Sequence, residues 1–162
     1  LTRVQIAIKL ALASDDAELR AVALRGYFAF NNRFVVVRTA PEAAREEIEN
    51  LVAQMKFEND PGGKVAPFAE RFRTVTIELR NYEFATGKGV SNSAGQDTGY
   101  LPFVINAENL TFRVSGRIDG RRDNPISDCF YDLRLVDKST LRGRVDCGSA
   151  TPPGSTAEIR LY

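Results

Sequence analysis

The two cysteines of the chain constrain how two of its strands pair. Cys129 and Cys147 stand at the ends of an alternating apolar pattern that polar residues 137–139 interrupt, which predicts an antiparallel hairpin. In that register the facing pairs are Cys129 with Cys147, Tyr131 with Val145, Leu133 with Gly143, and Leu135 with Leu141. Facing residues lie about 4.5 to 5.5 Å apart at Cα, within the range of about 4.4 to 6.8 Å that a disulfide requires. The sequence therefore predicts a disulfide between Cys129 and Cys147.

The predicted disulfide also indicates where the protein works. Disulfides persist in oxidising compartments and are rare in the cytosol. We therefore expect an extracytoplasmic protein, either periplasmic or secreted. The competing interpretation is a cytosolic protein with two reduced cysteines, since free cysteine is among the most buried residue types.

The composition argues against several classes of function. The chain has 162 residues, a formal net charge of +1 and no histidine. Without histidine, no Ser-His-Asp or Cys-His catalytic arrangement can form, and two cysteines alone cannot close a structural zinc site. The small net charge gives no field that would attract nucleic acid, and no apolar run reaches the roughly 18 residues of a membrane-spanning helix. We expect no metal, no cofactor, no nucleic acid and no transmembrane segment.

The first forty residues are interpreted as strands. Apolar residues alternate with others over 3–12, a period that predicts a half-buried strand. Two more strands are predicted over 19–30 and 33–39. A tight turn at Asn31-Asn32 joins them, because asparagine tolerates the left-handed conformation that such turns need. Both faces of this hairpin are apolar, so we expect it at the centre of the fold.

One amphipathic helix is predicted from Pro41 to Phe57. Thr39 to Glu42 has the pattern of a capping box. The apolar residues that follow recur at spacings of three and four, namely Ala44, Ile48, Leu51, Val52 and Met55. Residues 60–64, rich in glycine, end the helix and form a candidate hinge. We predict a single domain over 1–162, with strands and helix in 1–60 and mainly β structure in 65–162.

The second part of the chain is predicted to consist mostly of strands. A long strand over 73–84 changes its apolar phase and needs a bulge, which we place at Arg80-Asn81; further strands cover 110–118 and 157–162. Residues 86–99 carry four glycines and are predicted as an irregular loop that either binds a partner or is disordered. The candidate binding residues in this loop are Gly87, Lys88, Gly89, Asn92 and Asp97. The whole pattern predicts an α+β fold, with a largely antiparallel sheet of seven or eight strands and one main helix packed on it.

A cluster of arginines is predicted on the outer face of the cysteine hairpin. The register that pairs the cysteines places Asp132 opposite Arg144, but it also places Arg134 opposite Arg142, an unfavourable pairing of like charges. With two arginines from the strand over 110–118, the cluster, here called the arginine surface, comprises Arg113, Arg117, Arg134, Arg142 and Arg144. It is a candidate site for a carboxylate, a phosphate or an acidic protein surface, which arginine binds bidentately. The competing interpretation is a mixed-charge face that aspartates and solvent neutralise.

These features favour a non-enzymatic module that binds another protein outside the cytoplasm, such as an envelope accessory protein or an immunity or inhibitor protein. One alternative is a hydrolase that uses aspartate or glutamate, since paired carboxylates can cut glycosidic bonds without histidine. Its candidate residues are Asp119, Asp123, Asp128 and Asp132. Another alternative is a structural subunit, a homo-oligomer whose first strand, Val4 to Leu12, pairs with a neighbouring copy.

Overall fold

Eight antiparallel strands close into a barrel, and two helices precede them. The computed structural model describes residues 1–46, 74–93, 101–117, 126–148 and 151–162. The helices are α1 (Arg3–Leu12) and α2 (Ala17–Phe30), and the strands are β1 (Arg33–Thr39), β2 (Thr74–Glu83), β3 (Lys88–Ser93), β4 (Leu101–Asn106), β5 (Asn109–Arg117), β6 (Ile126–Asp137), β7 (Thr140–Asp146) and β8 (Thr156–Arg160). Each strand pairs with the next one in the chain, and β8 pairs with β1. Each of these eight strands therefore has a neighbour on both sides.

The N-terminal segments are helices, so the strands predicted over 3–12 and 19–30 are wrong. Thr2 and Gln5 form a capping box at the start of α1, in which each side chain accepts a hydrogen bond from the backbone N–H of the other residue. Asp16 caps α2 by accepting hydrogen bonds from the first backbone N–H groups of that helix. Such caps satisfy amides that the first helical turn leaves without partners. Local capping and tertiary packing therefore decide these segments, although their alternation also fits a strand.

The strand predicted over 33–39 is confirmed as β1, but its partners differ from the prediction. The turn predicted at Asn31-Asn32 is wrong, because Asn31 is the C-cap of α2. β1 pairs with β2 and β8 instead of a preceding strand. Its side chains alternate, so that Phe34, Val36 and Arg38 are buried inside the barrel.

The cysteine hairpin has the predicted register, and the disulfide is confirmed. β6 and β7 pair Tyr131 with Val145, Leu133 with Gly143, and Leu135 with Leu141. The disulfide between Cys129 and Cys147 lies beyond these pairs, with the two Cα atoms 4.0 Å apart. The pairing requires glycine at position 143, because a Cβ there would lie 2.8 Å from Cα of Leu133 and closer still to the carbonyl oxygen of Asp132.

The bulge predicted at Arg80-Asn81 is also confirmed. The register of β2 against β3 shifts between Arg80 and Glu83. Asn81 has a φ of 51°, a left-handed conformation in which asparagine is enriched. The irregular loop predicted over 86–99 is wrong for Lys88–Ser93, which form β3, whereas 94–100 lie outside the described residues.

Helix α2 packs directly on the barrel core. Phe28 is fully buried, and its ring meets the rings of Phe34 and Phe103 at steep angles, with centroids 5.2 and 5.1 Å apart. At the other end of the helix, Arg20 forms an ion pair with Glu108, which follows β4. α1 packs mainly on α2. The helical hairpin is therefore held by α2, and α1 forms an outer layer.

The rest of the predicted fold is confirmed in part. The strands predicted over 110–118 and 157–162 correspond to β5 and β8. Residues 42–46 are helical, as the predicted helix over 41–57 requires, but its remainder and the candidate hinge at 60–64 lie outside the described residues. The α+β class and the eight antiparallel strands are confirmed. The sheet closes into a barrel, however, and α1 and α2 form a helical layer where the prediction had one main helix.

Within the described ranges, no helix combines the length and the hydropathy that crossing a membrane would require.

Candidate functional site

An apolar groove lies between α1 and α2. It has a volume of about 460 Å³, and every residue that lines it is apolar. We call it the helical groove; its main lining residues are Val4, Ala7, Ala11, Val22, Ala29, Phe30 and Phe84. A groove with no polar side chain in its lining can bind apolar surface but supplies no side-chain hydrogen bond to orient a polar ligand.

The spacing of residues in the two helices produces this groove. Val4, Ala7 and Ala11 recur at intervals of three and four in α1, so they lie on one face of that helix. Val22 and Ala29 lie two turns apart on α2, again on one face. The small side chains of the alanines leave the space between the helices open.

Gly26 of α2 allows the strand region to approach the groove closely. A Cβ at Gly26 would lie 3.3 Å from the ring of Phe84, a distance at which the ring would have to shift. Phe84 directly follows β2, so its ring connects the lining of the groove to the barrel.

The groove belongs to a larger apolar surface. Val22 and Phe30 on α2 are 46% and 49% exposed, and Leu10 on α1 is 71% exposed. Ile6 and Leu10 are four residues apart and share a face of α1 that points away from the barrel core; we call this face the outer ridge. Both helices are therefore apolar on the side that packs inward and on a side that faces solvent, which is unusual for a helix at a protein surface.

Charged residues beside the groove are divided between the helices. α1 carries Arg3 and Lys9, both exposed, and has no acidic residue. α2 begins with the exposed Asp16 and Glu18 and has no basic residue in its last turn. The two arginines of α2, Arg20 and Arg25, are half-buried, and Arg20 is paired with Glu108. The fully exposed charges are therefore cationic along α1 and anionic at the start of α2.

A buried arginine lies beside the disulfide inside the barrel. The guanidinium of Arg38 lies 3.6 Å from Sγ of Cys147 and 3.8 Å from Sγ of Cys129, and it donates a hydrogen bond to the hydroxyl of Tyr131. Burial lowers the pKa of Arg38 and raises the pKa of Tyr131. The alternation of β1 could have revealed Arg38, because it follows Phe34 and Val36 at inward-facing positions.

The arginine surface exists on the outer face of β5 to β7, but carboxylates pair with most of its described side chains. Arg142 donates two hydrogen bonds to one carboxylate oxygen of Glu158, at 3.0 and 2.7 Å. Arg144 lies 3.9 Å from Asp132. These contacts favour the interpretation of a mixed-charge face over an anion-binding site. The hydrogen bonds from Arg142 and then from Arg160 hold the pKa of Glu158 below its usual value.

The remaining arginines of this surface differ in their surroundings. Arg113 forms an ion pair with Asp128 at 3.2 Å and lies over the ring of Phe130. Arg134 faces Arg142 across β6 and β7, as predicted, and no described carboxylate lies within ion-pair distance of it. Arg117 is the last residue of β5, and its side chain lies outside the description.

The described candidate binding residues in 86–99 lie in a tight turn and a strand and not in an irregular loop. Gly87 is buried in the turn between β2 and β3 with a φ of 65°, where its carbonyl accepts a hydrogen bond from Ile105. Lys88, Gly89 and Asn92 belong to β3. Asp97 lies outside the described residues. A binding role for these residues stays a prediction, now located on a strand.

The carboxylates named for a hydrolase are not assembled into a site within the described chain. Asp128 and Asp132 pair with arginines, whereas Asp119 and Asp123 lie outside the description. No group of three potential metal ligands is found in the described part of the chain.

Comparisons with known proteins yield no match, whether with family models, with curated proteins or with solved structures.

Sequence reasoning missed the helical groove because it assigned α1 and α2 to strands. Two signals point to the helices. Thr2 and Gln5 have the spacing of a capping box, and Asp16 precedes a segment with a first-turn glutamate, which is typical of a helix start. Once the helices are assigned, the spacing of their apolar residues places surplus apolar surface on the solvent side.

Proposed function

We propose that the protein is a non-enzymatic interaction module that works outside the cytoplasm and binds a protein partner in the helical groove. The observation that carries the proposal is the groove itself, which is lined only by apolar residues and which α2 fixes on a disulfide-linked barrel. Contiguous exposed apolar surface of this kind is typical of protein-protein interaction sites.

The nature of the groove favours binding over catalysis. Catalysis needs a group that transfers protons, attacks the substrate or stabilises charge, and the lining of the helical groove contains no such group. The structure also favours a partner that presents a helix over a partner that presents an extended peptide. An extended peptide needs backbone hydrogen bonds from a sheet edge, and the closed barrel pairs all eight strands.

The two alternatives from the sequence receive less support. The structural subunit required an extended first segment, and because that segment is the helix α1, strand addition through Val4 to Leu12 receives no support. The hydrolase required two carboxylates at a common site, and the described candidates serve as ion-pair partners. The location outside the cytoplasm is supported by the disulfide between Cys129 and Cys147, because such bonds are rare in reducing compartments.

Site-specific photocrosslinking tests the proposed function. A benzophenone side chain replaces Phe30 in the groove or, as a matched control, Val35 on the outer face of β1; the two positions are 49% and 46% exposed. Each labelled protein is irradiated with the extracytoplasmic fraction of its native source. We expect a discrete cross-linked protein, either a second copy or another chain, from position 30 and none from position 35.

Two results would refute the proposal. The first is a labelled groove that forms no discrete product, or one that position 35 forms equally well. The second concerns the compartment: if the protein extracted from its source shows two reactive thiols per chain under denaturing, non-reducing conditions, the extracytoplasmic assignment is wrong.

A further inference from the structure

The helical hairpin carries an apolar ridge as well as an apolar groove. The groove uses the face of α1 that contains Val4, Ala7 and Ala11. Ile6 and Leu10 lie on another face of the same helix and are 46% and 71% exposed. A foreign helix that filled the groove would leave this outer ridge exposed to water. A partner that buries both apolar features therefore has to contact the ridge as well as the groove.

We propose that the partner is a second copy of this chain, and that the outer ridge of each copy inserts into the helical groove of the other. This inference rests on the proposed function, since it names the partner of the same groove. A two-fold axis makes such contacts self-complementary, because each copy then contributes the same ridge and the same groove. The contact would consist of four helices, two from each copy.

The exposed apolar area is sufficient for such a dimer. Seven large apolar side chains of the groove and ridge expose between 44% and 71% of their surface, namely Val4, Ile6, Leu10, Leu19, Val22, Phe30 and Phe84. Aromatic side chains bury about 150 to 250 Å² each; with the lower part of that range for every one of the seven, they present roughly 600 Å² per copy. If contact covered all of this area on both copies, these side chains would bury about 1,200 Å², which is the lower end for specific, stable interfaces.

The charges of the two features are complementary. Arg3 and Lys9 lie beside the outer ridge on a helix without acidic residues. Asp16 and Glu18 lie at the start of α2, beside the groove. When the ridge of one copy enters the groove of the other, the cationic edge of α1 approaches the anionic start of α2. Opposite charges at the rim help to select the partner and its orientation.

A membrane surface fits these features less well. A bilayer presents no ridge that matches the shape of the groove. The acidic residues at the start of α2 would also face anionic lipid headgroups, which attract basic and not acidic segments.

Sedimentation equilibrium across protein concentrations of about 0.1 to 100 µM tests the inference. A small interface is expected to have a dissociation constant at the micromolar end of the range from µM to pM that protein interfaces show. The variants are Leu10→Gln on the ridge, Val22→Gln in the groove and Val35→Gln on β1. Val22 and Val35 are both 46% exposed, which makes the last variant a matched control. Circular dichroism and thermal unfolding confirm that each variant is folded before it is compared.

We expect the wild-type protein to have a sedimentation-derived mass of twice the 17.9 kDa of one chain. Leu10→Gln and Val22→Gln should each raise the dissociation constant about tenfold or more, as loss of a central apolar contact does. Val35→Gln should leave it unchanged.

A wild-type chain that stays monomeric at the highest concentration overturns the inference, and so does a dimer that only Val35→Gln weakens. Binding of the monomer to anionic vesicles would assign the surface to a membrane instead. If the chain is monomeric but position 30 crosslinks to another protein, the second copy is the wrong partner and the proposed function stands. If position 30 crosslinks to nothing, the proposed function fails too.

Discussion

Phe28 and Phe30 lie two residues apart, and replacing each by alanine distinguishes the helix from the strand that the sequence suggests. In a strand, residues 28 and 30 would point to the same face and truncation should cost similar amounts. In α2 they point in different directions: Phe28 is fully buried against the barrel core, whereas Phe30 is 49% exposed in the helical groove. The two substitutions should therefore differ strongly in their effect on stability.

The magnitudes follow from the surroundings of the two rings. Phe28 contacts the rings of Tyr27, Phe34 and Phe103 at 5.1 to 5.2 Å, so Phe28→Ala should cost about 4 kcal/mol, within the usual range for a buried phenylalanine. About half of the Phe30 surface is already exposed to solvent, so Phe30→Ala removes less buried apolar area and should cost about 1 kcal/mol.

Urea unfolding followed by far-ultraviolet circular dichroism measures both changes, at concentrations low enough to keep the chain monomeric. With a slope of about 2 kcal/mol per molar urea, the midpoint should fall by about 2 M for Phe28→Ala and by about 0.5 M for Phe30→Ala. Equal losses for the two variants would refute the assignment of α2 as a helix that packs on the barrel.

The remaining predictions concern the cysteine hairpin and its neighbour β8. Gly143→Ala should destabilise the fold by about 3 kcal/mol or more because the new Cβ overlaps the backbone of β6. Gly148→Ala should cost only about 1 kcal/mol, because a Cβ there meets free space and only the φ of 60° is unfavourable. If thermal unfolding showed Gly148→Ala to be the more destabilising variant, the register of the hairpin would be contradicted. Replacing both Cys129 and Cys147 by alanine should cost about 3 kcal/mol in urea unfolding, as the loop-closure model gives for this separation, and an unchanged midpoint would show that the bond does not stabilise the fold. Because the folded pKa of Glu158 is lowered, its contribution is present above the ordinary glutamate pKa of about 4.3 and is lost as the pH falls through the folded value. Glu158→Gln should therefore lose less stability than wild type between pH 7 and acid pH; equal losses would argue against the ion pairs with Arg142 and Arg160.

The cysteine hairpin could be predicted from the sequence because several constraints agree there. Its apolar residues alternate strictly, its turn is polar, and the two cysteines fall opposite each other in only one register. The bulge near Arg80 could likewise be predicted, because the apolar residues of that strand change from one face to the other there and a bulge permits such a change. Such local patterns do not depend on the rest of the molecule.

The N-terminal part could not be assigned by periodicity. In 3–12 and 19–30 apolar residues occupy so many positions that periods of 2 and 3.6 both fit, and short segments of this kind are ambiguous. The capping residues Thr2 and Asp16 were the better signal, because they satisfy amides that only a helix leaves open.

Closure of the sheet and the helical groove are long-range features. Pairing of β1 with β8 joins the two ends of the strand sequence, and closure depends on tilt and stagger summed over all strands, which no local pattern records. Pairing of β7 with β8 explains why Arg142 is not free for an anion, because β8 brings Glu158 beside it. The sequence therefore predicted which residues of the arginine surface face each other across β6 and β7, but it did not predict the carboxylate from β8 that neutralises Arg142.

Methyl-group nuclear magnetic resonance during dilution tests the account's central claim, that the outer ridge of one copy enters the helical groove of another, most directly. Signals of isoleucine, leucine and valine methyl groups report each surface separately. The account predicts that Ile6, Leu10 and Val22 shift as the protein is diluted, while Val35 on β1 and Val114 in the barrel do not. Shifts confined to Val35 and its neighbours on the barrel wall, or no shift in the helices at any concentration, would contradict it.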